Sequence, residues 1–220
     1  GSNMGMVRHE AYILLIQGEN VLPYLDGLST NLVEGSCTTI FTSRAAKILD
    51  VCEVIQIDNG VALVGYLPHK EALTEHLTQR ILGQTISISD ISALNHVFIG
   101  DGEDETPPDA TVHASYFGTM YIVPVRHAWQ ATWTEEEWTE YRIANILPYY
   151  GNEITTAVHP LACGLGELVH PQKGCYIGQE VIARMLSRGK QGHHLVVRNN
   201  PVKDATTVGK EKSLSIERIR

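Results

Sequence analysis

The sequence predicts an α+β fold whose sheets are built mainly from hairpins. Two observations carry this: runs rich in β-branched residues meet at turn signals, and amphipathic segments with helical spacing fall between those runs. At 220 residues and 43% hydrophobic content the chain can bury a core of one large or two small domains.

"AYILLIQG" (11–18) is a short apolar run ending at glycine and predicts a buried strand. Val21, Leu22, Leu25 and Leu28 then follow at helical spacing, with Pro23 tolerable in the first turn. "CTTIF" and "KILDVCEVIQID" predict strands, the second turning at Asn59-Gly60 into "VALVGYL", a hairpin signal. "PHKEALTEHLTQRIL" predicts an amphipathic helix with Ala72, Leu73, Leu77 and Ile81 inward, and "TISISDIS" and "HVFIG" predict strands. The acidic stretch 101–109 reads as a loop or linker, and "TVHASYF", a turn at Gly118-Thr119 and "MYIVPV" as a second hairpin. In "TEEEWTEYRIANIL" Thr134 and Glu137 form a capping box, followed by an apolar side of Trp138, Tyr141, Ile143 and Ile146. A glycine-rich, irregular stretch follows Pro148, and "HHLVV" begins a strand-like tail.

No run reaches the roughly 18 apolar residues of a membrane span, and the start lacks a secretion signal, so the expected location is cytoplasmic with no membrane partner. Cys37, Cys52, Cys163 and Cys175 form no C-x-x-C pair, and His69, His76 and the adjacent His193-His194 lack a third ligand, so no metal is assigned. The formal charge of −8 argues against direct nucleic-acid binding by the whole chain. From Lys173 to Arg220, however, ten basic residues stand against four acidic ones, which suits an anionic ligand.

The most chemically pointed stretch is "KGCYIGQEVIAR" (173–184). Val181, Ile182, Met185 and Leu186 share one apolar side, while Glu180, Arg184 and Arg188 line another, predicting a helix from about Gly178 to Arg188 closed by Gly189. Cys175 would then precede a helix N-terminus with Lys173 two residues away, and both would favour the thiolate. Gly174 and Gly178 allow a tight turn or close approach of a ligand. The competing reading is a buried packing cysteine, a solvated Lys173 and a surface pair of Glu180 with Arg184. Cys37, Cys52 and Cys163 read as packing residues.

The string Lys173-Gly174-Cys175-Tyr176-Ile177-Gly178-Gln179-Glu180 resembles the signature of the YgfZ family of folate-binding proteins, relatives of the glycine-cleavage T-protein (aminomethyltransferase). "GENVLPYLDGLSTNLVEG", "TSRAAKILDVCEV" and "YRIANILPYYGNEI" are similar to the family's other segments, so the likeness spans roughly residues 8 to 198. The resemblance implies two interleaved α+β domains around a central tetrahydrofolate channel, with the C-terminal β-barrel truncated. Its expected boundaries are 7–45 plus 111–192 for the domain carrying the motif, 46–110 for an inserted domain, and 193–220 for a vestigial barrel segment. It implies a role in assembly or repair of iron–sulfur client proteins, including tRNA-modifying enzymes, with Cys175 as the reactive centre. Lys173, Gly174, Tyr176, Gly178, Gln179, Glu180 and Arg184 would be ligand-binding, Arg184 and Lys173 being available to the folate's glutamate tail. An aminomethyltransferase-like enzyme and a binding module that has lost folate are the alternatives. Ala144 stands where the family carries a pterin-binding glutamate, so weakened folate binding is expected, restorable by Ala144→Glu unless Glu140 or Glu153 already serves.

Overall fold

A computed structural model describes residues 4–83, 85–102, 104–187 and 192–220. Among these residues the chain is a mixed α/β protein with four helices and three antiparallel sheets. Strands β1 (Met6–His9), β2 (Ala11–Gly18), β3 (Cys37–Thr42), β4 (Ile48–Ile57), β5 (Gly60–Tyr66) and β6 (Ile86–Asp90) come first. Between them lie helices α1 (Val21–Asp26) and α2 (Lys70–Thr78). Strands β7 (Asn95–Gly100), β8 (Thr111–Ser115) and β9 (Gly118–Pro124) precede α3 (Glu135–Asn145) and α4 (Gln179–Ser187). Strands β10 (His193–Asn199), β11 (Thr207–Val208) and β12 (Lys212–Arg218) end the chain.

The five-stranded sheet has order β3-β4-β5-β2-β6 and the four-stranded sheet β1-β7-β9-β8. Their register follows from burial alternating with period two. On β4, Val51 and Ile55 join the core shared by both sheets, whereas Cys52 and Val54 turn to the opposite face. That second face is covered by Tyr24 and Leu25 of α1 and by Leu73 and Leu77 of α2. Both faces of β4 are thus buried, which is why its sequence reads as a nearly continuous apolar run rather than an alternating one. Leu73 and Leu77 are each 0% exposed, and burying each contributes about 1.5–3 kcal/mol.

The Asn59-Gly60 turn joins β4 to β5 as the sequence predicts, with Asn59 at φ 62° and Gly60 at φ 156°. Helix α3 starts at its predicted capping box, Thr134 accepting from the Glu137 amide and Glu137 accepting from that of Thr134. Three elements differ from expectation. Strand β1 has no sequence signal of its own and is completed by pairing with β7. The second hairpin turns at Tyr116-Phe117, because Ser115 pairs with Gly118, so Gly118 and Thr119 belong to β9. Helix α2 stops at Thr78, ahead of the predicted Ile81.

Sheet pairings span two of the three expected domain boundaries. β3 pairs with β4 across 45/46, and β7 pairs with β9 across 110/111. Residues 193–218 form a three-stranded sheet, β10-β12-β11, whose Leu195 and Leu214 pack on Ile143 of α3. A buried Arg142–Glu153 ion pair at 3.2 Å and a Thr207–Glu153 hydrogen bond at 2.6 Å fix that sheet to the helix. Among the described residues no helix is long and apolar enough to cross a membrane.

Candidate functional site

The motif loop is built outward from two anchors. On its N-terminal side, the Thr30 hydroxyl donates to the Leu168 carbonyl at 2.7 Å, and the His170 amide donates to the Thr30 carbonyl at 3.0 Å. Lys173 completes this anchor. Its ammonium donates to the carbonyls of Asp26, Ser29 and Asn31 at 2.7, 2.8 and 2.6 Å, and pairs with Asp26 Oδ1 at 3.0 Å. The side chain is fully covered and also lies 4.9 Å from the centre of the Tyr176 ring. Burial lowers the pKa of Lys173, while its bonds to Asp26 oppose the shift.

The second anchor is Gly178. It adopts φ 89°, and an added Cβ would lie 2.7 Å from both the Ser43 carbonyl oxygen and Thr42 Oγ1. Thr42 Oγ1 donates to the adjacent Ile177 carbonyl at 2.9 Å, so the close approach carries a hydrogen bond. Glycine is required there by both backbone conformation and contact. Tyr176 and Ile182 are buried with Ala46, Leu161 and Val169, which seats α4 on the β3–β4 turn.

Between the anchors, Gly174 and Cys175 stand at the surface. An added Cβ on Gly174 would meet nothing within 4 Å. Of the four cysteines, all described, Cys175 is exposed, Cys37 is half-buried, and Cys52 and Cys163 are buried. Burial pushes the thiols of Cys37 and Cys163 up to about 11 and about 12, and that of Cys52 up as well.

These positions revise the roles expected of the motif. Lys173 has its donors matched by main-chain carbonyls, so it holds the loop and has none to offer a folate tail or a thiolate. Cys175 lies four residues before Gln179, the first residue of α4, outside the turn where a helix dipole acts strongly. Tyr176 is a packing residue, Gln179 Nε2 reaches the Gly174 carbonyl at 3.4 Å, and Glu180 and Arg184 are exposed. Arg188 and Gly189 lie outside the described residues.

Two buried polar centres lie outside the motif, and carboxylates within an apolar strand run are their signal in the sequence. Glu53 faces the core between the two large sheets. Its Oε1 accepts from Thr38 Oγ1 at 2.5 Å and lies 3.0 Å from His113 Nε2, while its Oε2 accepts from Ser115 Oγ at 2.9 Å. Asp50 faces the helix-covered side and accepts from Tyr12 Oη at 2.6 Å and the Val51 amide at 2.9 Å, with His69 Nδ1 at 3.0 Å. Burial raises the pKa of Asp50, with the His69 and Tyr12 hydrogen bonds opposing it.

The cavity between the two large sheets is too small in this arrangement to hold a reduced folate. The cavity between the sheets, lined by residues including His9, Glu53, Tyr66, Trp138 and Tyr149, measures about 20 Å³, room for about one water. Pockets that hold organic ligands measure about 300–1,000 Å³. Trp138 Nε1 is buried without a partner, but Glu53 already has three. No motif residue lines this cavity. Ala144 is exposed on α3 and does not line it either, and Glu153 is committed to Arg142, Thr207 and the Tyr149 amide, so neither provides the expected pterin carboxylate. Among the described residues no group of three or more His, Cys, Asp or Glu side chains could hold a metal ion.

No family model and no curated protein matches the sequence. The fold does match a solved structure, the glycine cleavage system aminomethyltransferase T from Bartonella henselae, with a TM-score of 0.78 over 97% of this chain and 78% of that one. The identity over this match is 12%, so the likeness is one of fold: the chain has a T-protein-like architecture.

Proposed function

We propose that this chain is an accessory protein of T-protein-like fold that acts on iron–sulfur client proteins in the cytoplasm through Cys175, with no folate held in its interior. The observation that carries the reading is the presentation of Cys175, an exposed thiol between the Lys173 and Gly178 anchors. A packing cysteine needs no such frame. The iron–sulfur role comes from the likeness of the 173–180 motif to the YgfZ family, and the tRNA-modifying enzymes among that family's clients are the first to test. Aminomethyl transfer needs an acid beside the transferred carbon, and Glu53, the carboxylate that lines the small cavity, is already engaged by Thr38, His113 and Ser115.

The test has two arms. Cys175→Ser should fold normally and fail to complement an iron–sulfur maintenance defect, and full complementation by this variant would overturn the reading. Tetrahydrofolate should produce no heat of binding and no rise in melting temperature, for either the natural chain or Ala144→Glu. Saturable binding would overturn the claim that the interior holds no folate.

A further inference from the structure

We propose that the C-terminal sheet carries a phosphate-binding groove that takes the phosphodiester backbone of a single-stranded nucleic acid. His194 and Arg198 of β10, Glu217 and Arg218 of β12, and Arg220 line an open groove of about 450 Å³. The register places His194 directly opposite Glu217. Arg198 straddles the Glu217 carboxylate in a two-point contact, Nε to Oε2 at 3.1 Å and an Nη to Oε1 at 3.0 Å, which fixes one guanidinium at the groove. Arg218 and Arg220 are exposed, and among the described residues neither is held in an ion pair.

Three guanidinium groups thus share one groove with a single side-chain carboxylate, an arrangement whose self-repulsion an anion relieves. Phosphate fits the donors better than a carboxylate does, because the planar guanidinium fork matches two phosphate oxygens and several forks can serve successive groups along a chain. The groove is open, as a chain passing through requires. Its lining has no Phe, Tyr or Trp, so the contact is made chiefly to the phosphodiester backbone, with little sequence preference.

The overall charge of −8 does not oppose this locally. All but three of the 25 acidic residues precede His193, whereas residues 193–220 hold six basic residues. At physiological salt, charges beyond about 8 Å are largely screened.

The experiment is fluorescence anisotropy with a labelled, mixed-sequence single-stranded RNA of about 20 nucleotides, run on the full chain and on Arg218→Glu/Arg220→Glu. Both substituted side chains are exposed, and an unchanged melting temperature shows that the variant is folded. The expected results are saturable binding at about 50 mM salt, at least tenfold weaker binding at about 200 mM, and at least a tenfold loss in the variant at low salt. Tripolyphosphate, the control for a free polyphosphate ligand, should compete more weakly than the RNA. No binding at low salt, binding indifferent to the double substitution, or tighter binding of tripolyphosphate than of RNA would each overturn the proposal. Cys175→Ser should bind the RNA as the natural chain does, since its loop is not part of the groove.

Discussion

The ammonium of Lys173 lies 2.6 Å from the carbonyl oxygen of Asn31, a residue 142 positions earlier in the chain. This contact and its neighbours at Asp26 and Ser29 close the motif loop onto the segment between α1 and β3. Methionine at 173 would fill similar space and leave three carbonyls and the Asp26 carboxylate without their cation. Lys173→Met should therefore lower stability by about 3 kcal/mol, read as a drop in the urea midpoint at unchanged slope. A loss below about 0.5 kcal/mol, the ordinary level for a surface substitution, would show that Lys173 is solvated instead.

Accessibility orders the four thiols. Iodoacetamide should modify Cys175 first, Cys37 more slowly, and Cys52 and Cys163 only on unfolding, with peptide mapping as the readout. Cys175→Ser should leave the melting temperature within about 1 °C, because nothing packs on an exposed thiol. Cys52→Ser is milder than its strand position suggests. The sulfur already lies 3.5 Å from Asp50 Oδ2, so a hydroxyl would find an acceptor, and the cost should be about 1 kcal/mol rather than that of an unpaired buried hydroxyl.

The two ends of the motif differ in what they tolerate. Gly178→Ala places a methyl 2.7 Å from the Ser43 carbonyl oxygen at φ 89°, so it should destabilise by about 1–3 kcal/mol and loosen α4 from the β3–β4 turn. Gly174→Ala meets open space and should change stability by less than about 0.5 kcal/mol. Equal effects of the two substitutions would contradict the anchoring described for Gly178.

What the sequence could and could not reveal follows from the range of each interaction. Asn59-Gly60 and the Thr134–Glu137 capping box are local rules, and both elements stand where they were expected. Strand β1 depends on β7, nearly 90 residues on, and no local pattern announces it. The motif is legible as a glycine-framed cysteine, but the partners of Lys173 lie in the segment 26–31, which only tertiary structure brings to it. A glutamate at position 144 could reach a pterin only from an inward helix face, and the exposure of Ala144 on α3 is set by which face packs. Asp50 and Glu53 are acids inside a predicted strand, and their odd spacing already puts them on opposite faces, but only the fold supplies their partners, Tyr12 and His69 for the one and Thr38, His113 and Ser115 for the other.

Ile146 ends α3 at φ 50° and ψ 55°, a left-handed conformation that costs a side chain with a branched Cβ about 1–2 kcal/mol. The residue is 38% exposed, so its side chain contributes only part of its possible burial energy. Ile146→Gly should relieve the strain and raise stability by about 1 kcal/mol, measured as an increase in the urea midpoint. A decrease would mean that the packing of Ile146 outweighs its backbone cost.

Acid should weaken the fold through His9. This imidazole is buried between the sheets with Nδ1 3.1 Å from Tyr149 Oη, and burial lowers its pKa from 6.5 to about 4. Between those values the unfolded chain takes up a proton that the folded chain refuses, so stability rises with pH across the window. The contribution is fully present above about pH 6.5 and is lost as the pH falls toward 4, amounting to about 3 kcal/mol over the span. His76, half-buried and also lowered to about 4, acts in the same direction with less weight because solvent screens it. Asp50, whose pKa burial raises, acts in the opposite sense at the acid end. Comparing the natural chain with His9→Gln cancels these other groups and isolates His9, since glutamine can hydrogen-bond to Tyr149 but does not titrate. Urea unfolding at a series of pH values from 4 to 7 should show a difference in stability between the two proteins that changes by about 3 kcal/mol across the range. A difference that stays constant would show that the imidazole takes up its proton as readily in the folded chain as in the unfolded one.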